Sequence, residues 1–140
     1  RQGLKVTLFD TEAVAELVAP TLPEIKVIGG DFNKSIPDGP YDLIYLGNIT
    51  HIYGTKNNEL LFKNCFQQLN PNGVIAILDY VQGLSPSAPF FAINMLVNTT
   101  TGGTWSKADY LSWLKEAGFG ALEIVNLTNR DQQLILAARQ

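Results

Sequence analysis

Few side chains in this sequence are equipped for chemistry, and His51 is the only histidine among them. It lies just past an apolar run, Leu43–Leu46, within Gly47-Asn48-Ile49-Thr50-His51-Ile52-Tyr53. A neutral imidazole there can take a proton from a substrate hydroxyl, because its unperturbed pKa is ~6.5. A lone histidine can equally be a hydrogen-bonded structural residue. Three acids, Asp10, Asp31 and Asp79, each stand where an apolar run ends. In an open parallel sheet, ligands bind beyond the carboxyl ends of the strands. A carboxylate at Asp10 can accept hydrogen bonds from two ribose hydroxyls. Asp31 follows Gly29-Gly30, whose bare backbone lets a flat ligand approach, and Phe32 can stack on or line a base. The set suits adenosine, with Asp31 accepting from the exocyclic amine. Each acid can instead cap a helix or a turn, as Asp commonly does.

The aromatic and sulfur side chains Tyr53, Phe90, Phe91, Met95 and Trp105 fall mostly in the later half of the chain. They read either as core or as an apolar lining for an aromatic or acyl substrate. Metal binding has little support, with one histidine, one cysteine and scattered acids. There is no Gly-x-Ser-x-Gly elbow and no phosphate-binding Gly-Lys-Ser/Thr loop.

The elements that must position these residues alternate. Strands are expected at Leu4–Phe9, Ile25–Ile28, Leu43–Leu46 and Val74–Leu78, and helices after Thr11, over Asn58–Leu69 and near Phe90–Val97. Thr11 is positioned to cap its helix, whose apolar stripe is Ala13, Val14, Leu17 and Val18; Pro20 and Pro23 stop it. Pro71-Asn72-Gly73 reads as a turn. Ser106 starts a further helix in a near capping box with Asp109, and Gly118 ends it. Two strands, Ala121–Leu127 and Gln133–Ala138, follow as an antiparallel pair. This order implies an α/β fold with a mostly parallel sheet covered on both faces. The 140 residues are 46% apolar and 16% charged with a net charge of −3, which suits a packed globular domain and not a basic nucleic-acid binder. No apolar run approaches the ~18 residues of a membrane span. A single cysteine, Cys65, fits a reducing compartment, so a cytoplasmic location is expected and no membrane partner.

Read in order, several segments resemble the catalytic domain of S-adenosylmethionine-dependent O-methyltransferases of the plant phenolic and bacterial natural-product type. They are Val6–Asp10, Gly29-Gly30-Asp31-Phe32, Asp42–Leu46 and Ile49–Tyr53, then Leu69–Val74, Leu78-Asp79, Thr101-Gly102-Gly103 with Trp105-Ser106, and Trp113–Phe119. The resemblance implies a Rossmann-like class I methyltransferase fold. It implies S-adenosyl-L-methionine as cofactor, S-adenosyl-L-homocysteine as its product, and a small, largely apolar hydroxyl compound as acceptor. Asp10 then holds the ribose, Gly30, Asp31 and Phe32 frame the adenine, and His51 is the general base. Gly47 stands where a lysine often contacts the adenine. Tyr53, Asn94, Met95 and Trp105 fall on the substrate side.

The chain departs from the family pattern at several of these places. Ile52 and Tyr53 follow the histidine where Asp and Trp are usual, and Asn94 replaces an Asp before the methionine. Thr104 and Trp105 occupy the stretch where plant members carry an acid that orients the histidine. The family's first strand and glycine-rich cofactor loop would precede Leu4, and its helical N-terminal domain, which usually makes the homodimer, would precede them. Residues 1–140 are therefore expected to be the C-terminal part of a catalytic domain, without activity when isolated. Two alternatives share these features: a degenerate methyltransferase-fold module used for binding or assembly, and a nucleotide-binding oxidoreductase half-domain.

Overall fold

Short apolar runs and amphipathic stretches alternate along the chain, and they fold as strands and helices in nearly the order their patterns suggest. The computed structural model describes residues 3–140. It divides into two units, one up to Asp38 and one over Gly39–Gln140.

The first unit is a single strand–helix–strand crossover. Strand β1 (Thr7–Asp10) leads into helix α1 (Glu12–Val18), a one-turn 3-10 segment at Ala19–Thr21, and strand β2 (Lys26–Gly29). The strands pair in parallel, with Asp10 opposite Gly29, so both acid-bearing ends lie together. Pro20 falls in the 3-10 turn that ends the helix, as its missing N–H requires. Two expectations fail here. Thr11 makes no side-chain cap; its own N–H is instead bound by Asp10 Oδ1 at 2.7 Å. Nor is the stripe of Ala13, Val14, Leu17 and Val18 buried. Ala15 alone is buried in α1, and Leu17 stays 75% exposed. A two-stranded sheet gives a helix only a narrow platform, and one small residue fills it.

The second unit holds a four-stranded sheet in the order β3-β4-β8-β7. Strand β3 (Tyr41–Gly47) runs parallel to β4 (Leu69–Asp79), and β7 (Phe119–Asn126) and β8 (Gln133–Arg139) complete it antiparallel. Between β3 and β4 runs helix α2 (Thr55–Gln68), whose Asn58, Leu61, Phe62 and Cys65 are buried at helical spacing. The expected turn at residues 71–73 is a bend inside β4, where Asn72 takes φ +65°. Helix α3 (Ala88–Asn98) and helix α4 (Lys107–Ala117) follow the two-residue strands β5 (Val81–Gln82) and β6 (Trp105–Ser106). The short parallel pair of β5 with β6 has no counterpart in the sequence expectations, and it sets Trp105 beside Val81.

Helix α4 begins in a complete capping box: Ser106 Oγ accepts from the Asp109 N–H, and Asp109 Oδ2 accepts from the Ser106 N–H. It ends at Gly118 with φ +106°, a conformation that favours glycine. The core joins Leu61, Phe62 and Cys65 of α2 with Tyr110 and Leu114 of α4, over Ile75, Ile77 and Ile135 of the sheet, all at 1% exposure or less. On α3 only Ala88 and Met95 are buried, while Phe90, Ile93, Leu96 and Val97 face outward. Among the described residues, no helix is long and apolar enough to cross a membrane.

Candidate active site

His51 sits in a one-turn 3-10 segment, Thr50–Ile52, shortly after β3 ends. Parallel pairing sets Gly47 of β3 opposite Leu78 of β4, and Asn48 N–H bonds the Leu78 carbonyl. The turn that follows is thus delivered to the end of β4, where Asp79 stands fully buried. His51 Nδ1 lies 2.7 Å from Asp79 Oδ1, which also accepts from the Tyr80 N–H at 2.8 Å. Asp79 Oδ2 accepts from the Thr50 hydroxyl at 2.5 Å and from the His51 N–H at 3.1 Å. Four donors fill the acceptor capacity of an ionised carboxylate. Nδ1 must then carry the imidazole proton, which leaves Nε2 with a free lone pair.

The backbone of the turn is held as firmly as its side chains. The Thr50 carbonyl accepts from Trp105 Nε1 at 2.9 Å and from Asn58 Nδ2 at 3.0 Å. Gly103 N–H bonds the His51 carbonyl at 2.9 Å. A side chain on Gly102 would run into that same carbonyl oxygen, so the glycine pair lets the loop close onto the turn. The His51 ring meets Phe91 of α3 edge-on, centroids 4.8 Å apart at 89°, and Phe91 lies 4.3 Å from the Tyr80 ring. The His51 side chain keeps 10% of its accessible surface. Behind Thr50, the Tyr110 hydroxyl is 2.7 Å from Thr50 Oγ1. Burial, and secondarily the charge of Asp79, pushes the Tyr110 phenol well above its ordinary range.

In the first unit, a cavity of about 590 Å³ opens at the carboxyl ends of β1 and β2, with Phe9, Glu12, Gly29, Gly30, Asp31 and Lys34 in its wall. Asp31 Oδ1 accepts from the Asn33 N–H at 2.9 Å, a local Asx turn, and Oδ2 lies 3.8 Å from Lys34 Nζ. A side chain at Gly30 would strike the Phe9 ring, and one at Gly29 would strike Glu12. Phe32 is buried, edge-on to Phe9 at 4.7 Å, and does not line the cavity; Phe9 supplies the aromatic wall. Asp10 is half-buried beside it, one carboxylate oxygen taken by Thr11. A half-exposed carboxylate, an aromatic wall and two glycines fit the polar edge and flat face of an adenine.

The structure therefore groups the expected residues unevenly. Trp105 reaches His51 through the Thr50 carbonyl, and the Tyr53 carbonyl shares Asn58 Nδ2 with it. Gly47 ends β3 against the Tyr45 ring. Met95 is buried, whereas Asn94 is exposed and its side chain binds Asn98 one turn along the same helix. The stretch after Gly102-Gly103 carries no acid, as its sequence already shows, and the carboxylate that meets the histidine is Asp79 at the end of β4. Asn58 and Tyr110 lie outside every segment that points to the site, and Thr50 falls within Ile49–Tyr53 with no role of its own marked there.

The O-methyltransferase domain family profile matches residues 2–120. The chain is 31% identical over 109 residues to the S-adenosyl-L-methionine-dependent methyl transferase PigF of Serratia sp. (strain ATCC 39006), covering 74% of this chain and 31% of that protein. It is 30% identical over 114 residues to myricetin 3'-O-methyltransferase 4 of Solanum lycopersicum, covering 76% of this chain and 31% of that one. The chain thus spans about a third of the length of these relatives. Solved structures share the fold: PigF with SAH has a TM-score of 0.85 at 24% identity, over 96% of this chain and 43% of that one. Human N-acetylserotonin methyltransferase in complex with SAM gives 0.84 at 24% identity, over 98% and 41%.

Proposed function

Since this chain belongs to the O-methyltransferase domain family, we propose that it forms the C-terminal part of a catalytic domain that methylates a hydroxyl on a small, largely apolar molecule. S-adenosyl-L-methionine supplies an activated methyl on a cationic sulfur, so the leaving group needs no assistance from the protein. The first unit's share is binding. Asp10 offers its remaining carboxylate oxygen to the ribose hydroxyls, and Asp31 and Gly30 meet the adenine. The second unit's share is the acceptor's proton. His51 Nε2 removes it as the oxygen attacks, and Asp79 steadies the imidazolium that results.

The observation that carries this reading is the 2.7 Å contact between His51 Nδ1 and a carboxylate buried at 0% exposure. A carboxylate that holds the proton on Nδ1 leaves Nε2 as the acceptor a general base needs. The relatives' greater length supports placing further segments before this chain in the whole protein. The outward apolar face of α3, Phe90, Ile93, Leu96 and Val97, supports a covering element there, as in a homodimer with an N-terminal domain.

The test uses the full-length protein carrying this chain. Calorimetry with S-adenosylhomocysteine and methyl transfer from labelled cofactor to a panel of phenols are measured together. Binding with transfer to a hydroxyl is expected, and Asp79→Asn should cut turnover by about 10²–10⁴-fold with cofactor binding retained. Cofactor binding with no transfer to any acceptor would favour a non-catalytic binding module instead.

A further inference from the structure

We infer that Tyr110 and Thr50 are positioning residues for His51, acting through Asp79 as a one-way line of hydroxyl protons that keeps the imidazole proton on Nδ1. This rests on the reading of His51 as the proton acceptor. The order of the line follows from counting protons. Asp79 accepts four hydrogen bonds and has none to give. Thr50 owns a single hydroxyl proton, and its 2.5 Å contact with Asp79 Oδ2 commits that proton to the carboxylate. The Tyr110 hydroxyl, 2.7 Å from the same Thr50 oxygen, must therefore donate to it. Protons run from Tyr110 to Thr50 to Asp79, and from His51 to Asp79 on the other side. No alternative arrangement satisfies every partner while Asp79 is ionised.

Packing does not require either hydroxyl. The Tyr110 ring lies against Phe62 at 6.5 Å and Trp113 at 5.8 Å, contacts that a phenylalanine would make equally. Both Tyr110 and Thr50 are at 0% exposure, where an unbonded hydroxyl is costly. Each is bonded, and each bond leads to Asp79. The phenol's raised pKa keeps Tyr110 a donor throughout the ordinary pH range. Among the other neighbours of the line, Phe91 of α3, Trp105 of β6 and Asn58 of α2 carry no charge, and the Tyr80 ring lies against Phe91. Asp109, on the same helix as Tyr110, is engaged in the capping box with Ser106.

Removing a donor from Asp79 leaves a carboxylate that attracts the imidazolium more strongly. His51 should then hold its second proton to higher pH. Loss of the Tyr110 hydroxyl weakens the Thr50 donation indirectly, in the same direction and by less.

The experiment follows the imidazole of His51 by NMR as a function of pH, its signals identified by their loss in His51→Gln. Thr50→Val should raise the titration midpoint by up to about one pH unit, the worth of one hydrogen bond to a charge. Tyr110→Phe, which preserves shape, should raise it by less, and Thr50→Ser should restore the original value. In the full-length protein, the acidic limb of kcat should move with the midpoint while KM stays put. Unchanged or lowered midpoints in both Thr50→Val and Tyr110→Phe, or a serine that shifts as far as valine, would overturn the line. Turnover that survives His51→Gln alongside the expected shifts would remove the proton-acceptor reading and leave the line intact.

Discussion

The unit up to Asp38 and the unit from Gly39 onward each end their strands in carboxylates, but they hold those carboxylates in opposite ways. In the first, Asp10 is tied to the next residue and Asp31 to one two positions on. Little else supports them: Ala15 and Phe32 are its buried apolar residues, and Leu4, Val6, Val14 and Leu17 are exposed. In the second, Asp79 accepts from the adjacent Tyr80 N–H but also from His51 and Thr50, 28 and 29 positions away, and Thr50 is met by Tyr110 a further 60 positions on. That carboxylate is fixed only when the sheet and α4 are packed. Local turns suffice for side chains that meet a ligand from one side. On the proposed reading, a base that must present one tautomer at one angle needs a core behind it.

The sharpest way to break this contrast is mutation of each unit's apolar residues. Phe62→Ala should cost about 3–5 kcal/mol in urea unfolding, since Phe62 is at 0% exposure under α4. Leu17→Ala, at 75% exposure, should change stability by less than about 0.5 kcal/mol. Comparable losses would mean that the first unit hides a core of its own. Next comes ligand affinity. In the full-length protein Asp10→Ala should weaken S-adenosylhomocysteine binding about tenfold to a hundredfold, the loss of charged hydrogen bonds, with unfolding little changed. A large stability loss with unchanged affinity would reassign Asp10 to the turn it makes with Thr11.

A further effect is alkaline. Burial pushes the Cys65 thiol from 9.0 up to about 12, and Tyr110 is raised as well. The unfolded chain loses these protons first, so their contribution is complete below about pH 9 and declines as pH rises toward 12. Stability should fall by up to ~1.4 kcal/mol per pH unit for each group, and Cys65→Ala should remove its share of the slope. A slope unaltered in Cys65→Ala would show that the thiol ionises alike in both states.

What the sequence reveals of this site follows the same division. Asp10 and Asp31 are legible because strand ends, glycines and turn residues are local signals, and so is the capping box of Ser106 and Asp109. Asp79 is visible as a strand-end acid, but its partnership with His51 depends on the parallel register of β3 and β4, which no local pattern encodes. Thr50 and Tyr110 read as an ordinary turn residue and an ordinary core aromatic until packing joins them. Phe32 is the reverse case: it neighbours Asp31 in sequence, yet it packs against Phe9 and lies outside the wall of the cavity that Asp31 lines. The stripe on α1 fails for a related reason, because helical spacing says which residues share a face but not whether a platform exists to cover them.

The most direct measurement is turnover of the full-length protein with His51→Gln, paired with calorimetry of S-adenosylhomocysteine on the same preparation. Loss of about 10²–10⁴-fold in methyl transfer with unchanged cofactor affinity is the expected result. An unchanged rate would contradict it, and would return His51 and its buried carboxylate to the role of a structural pair.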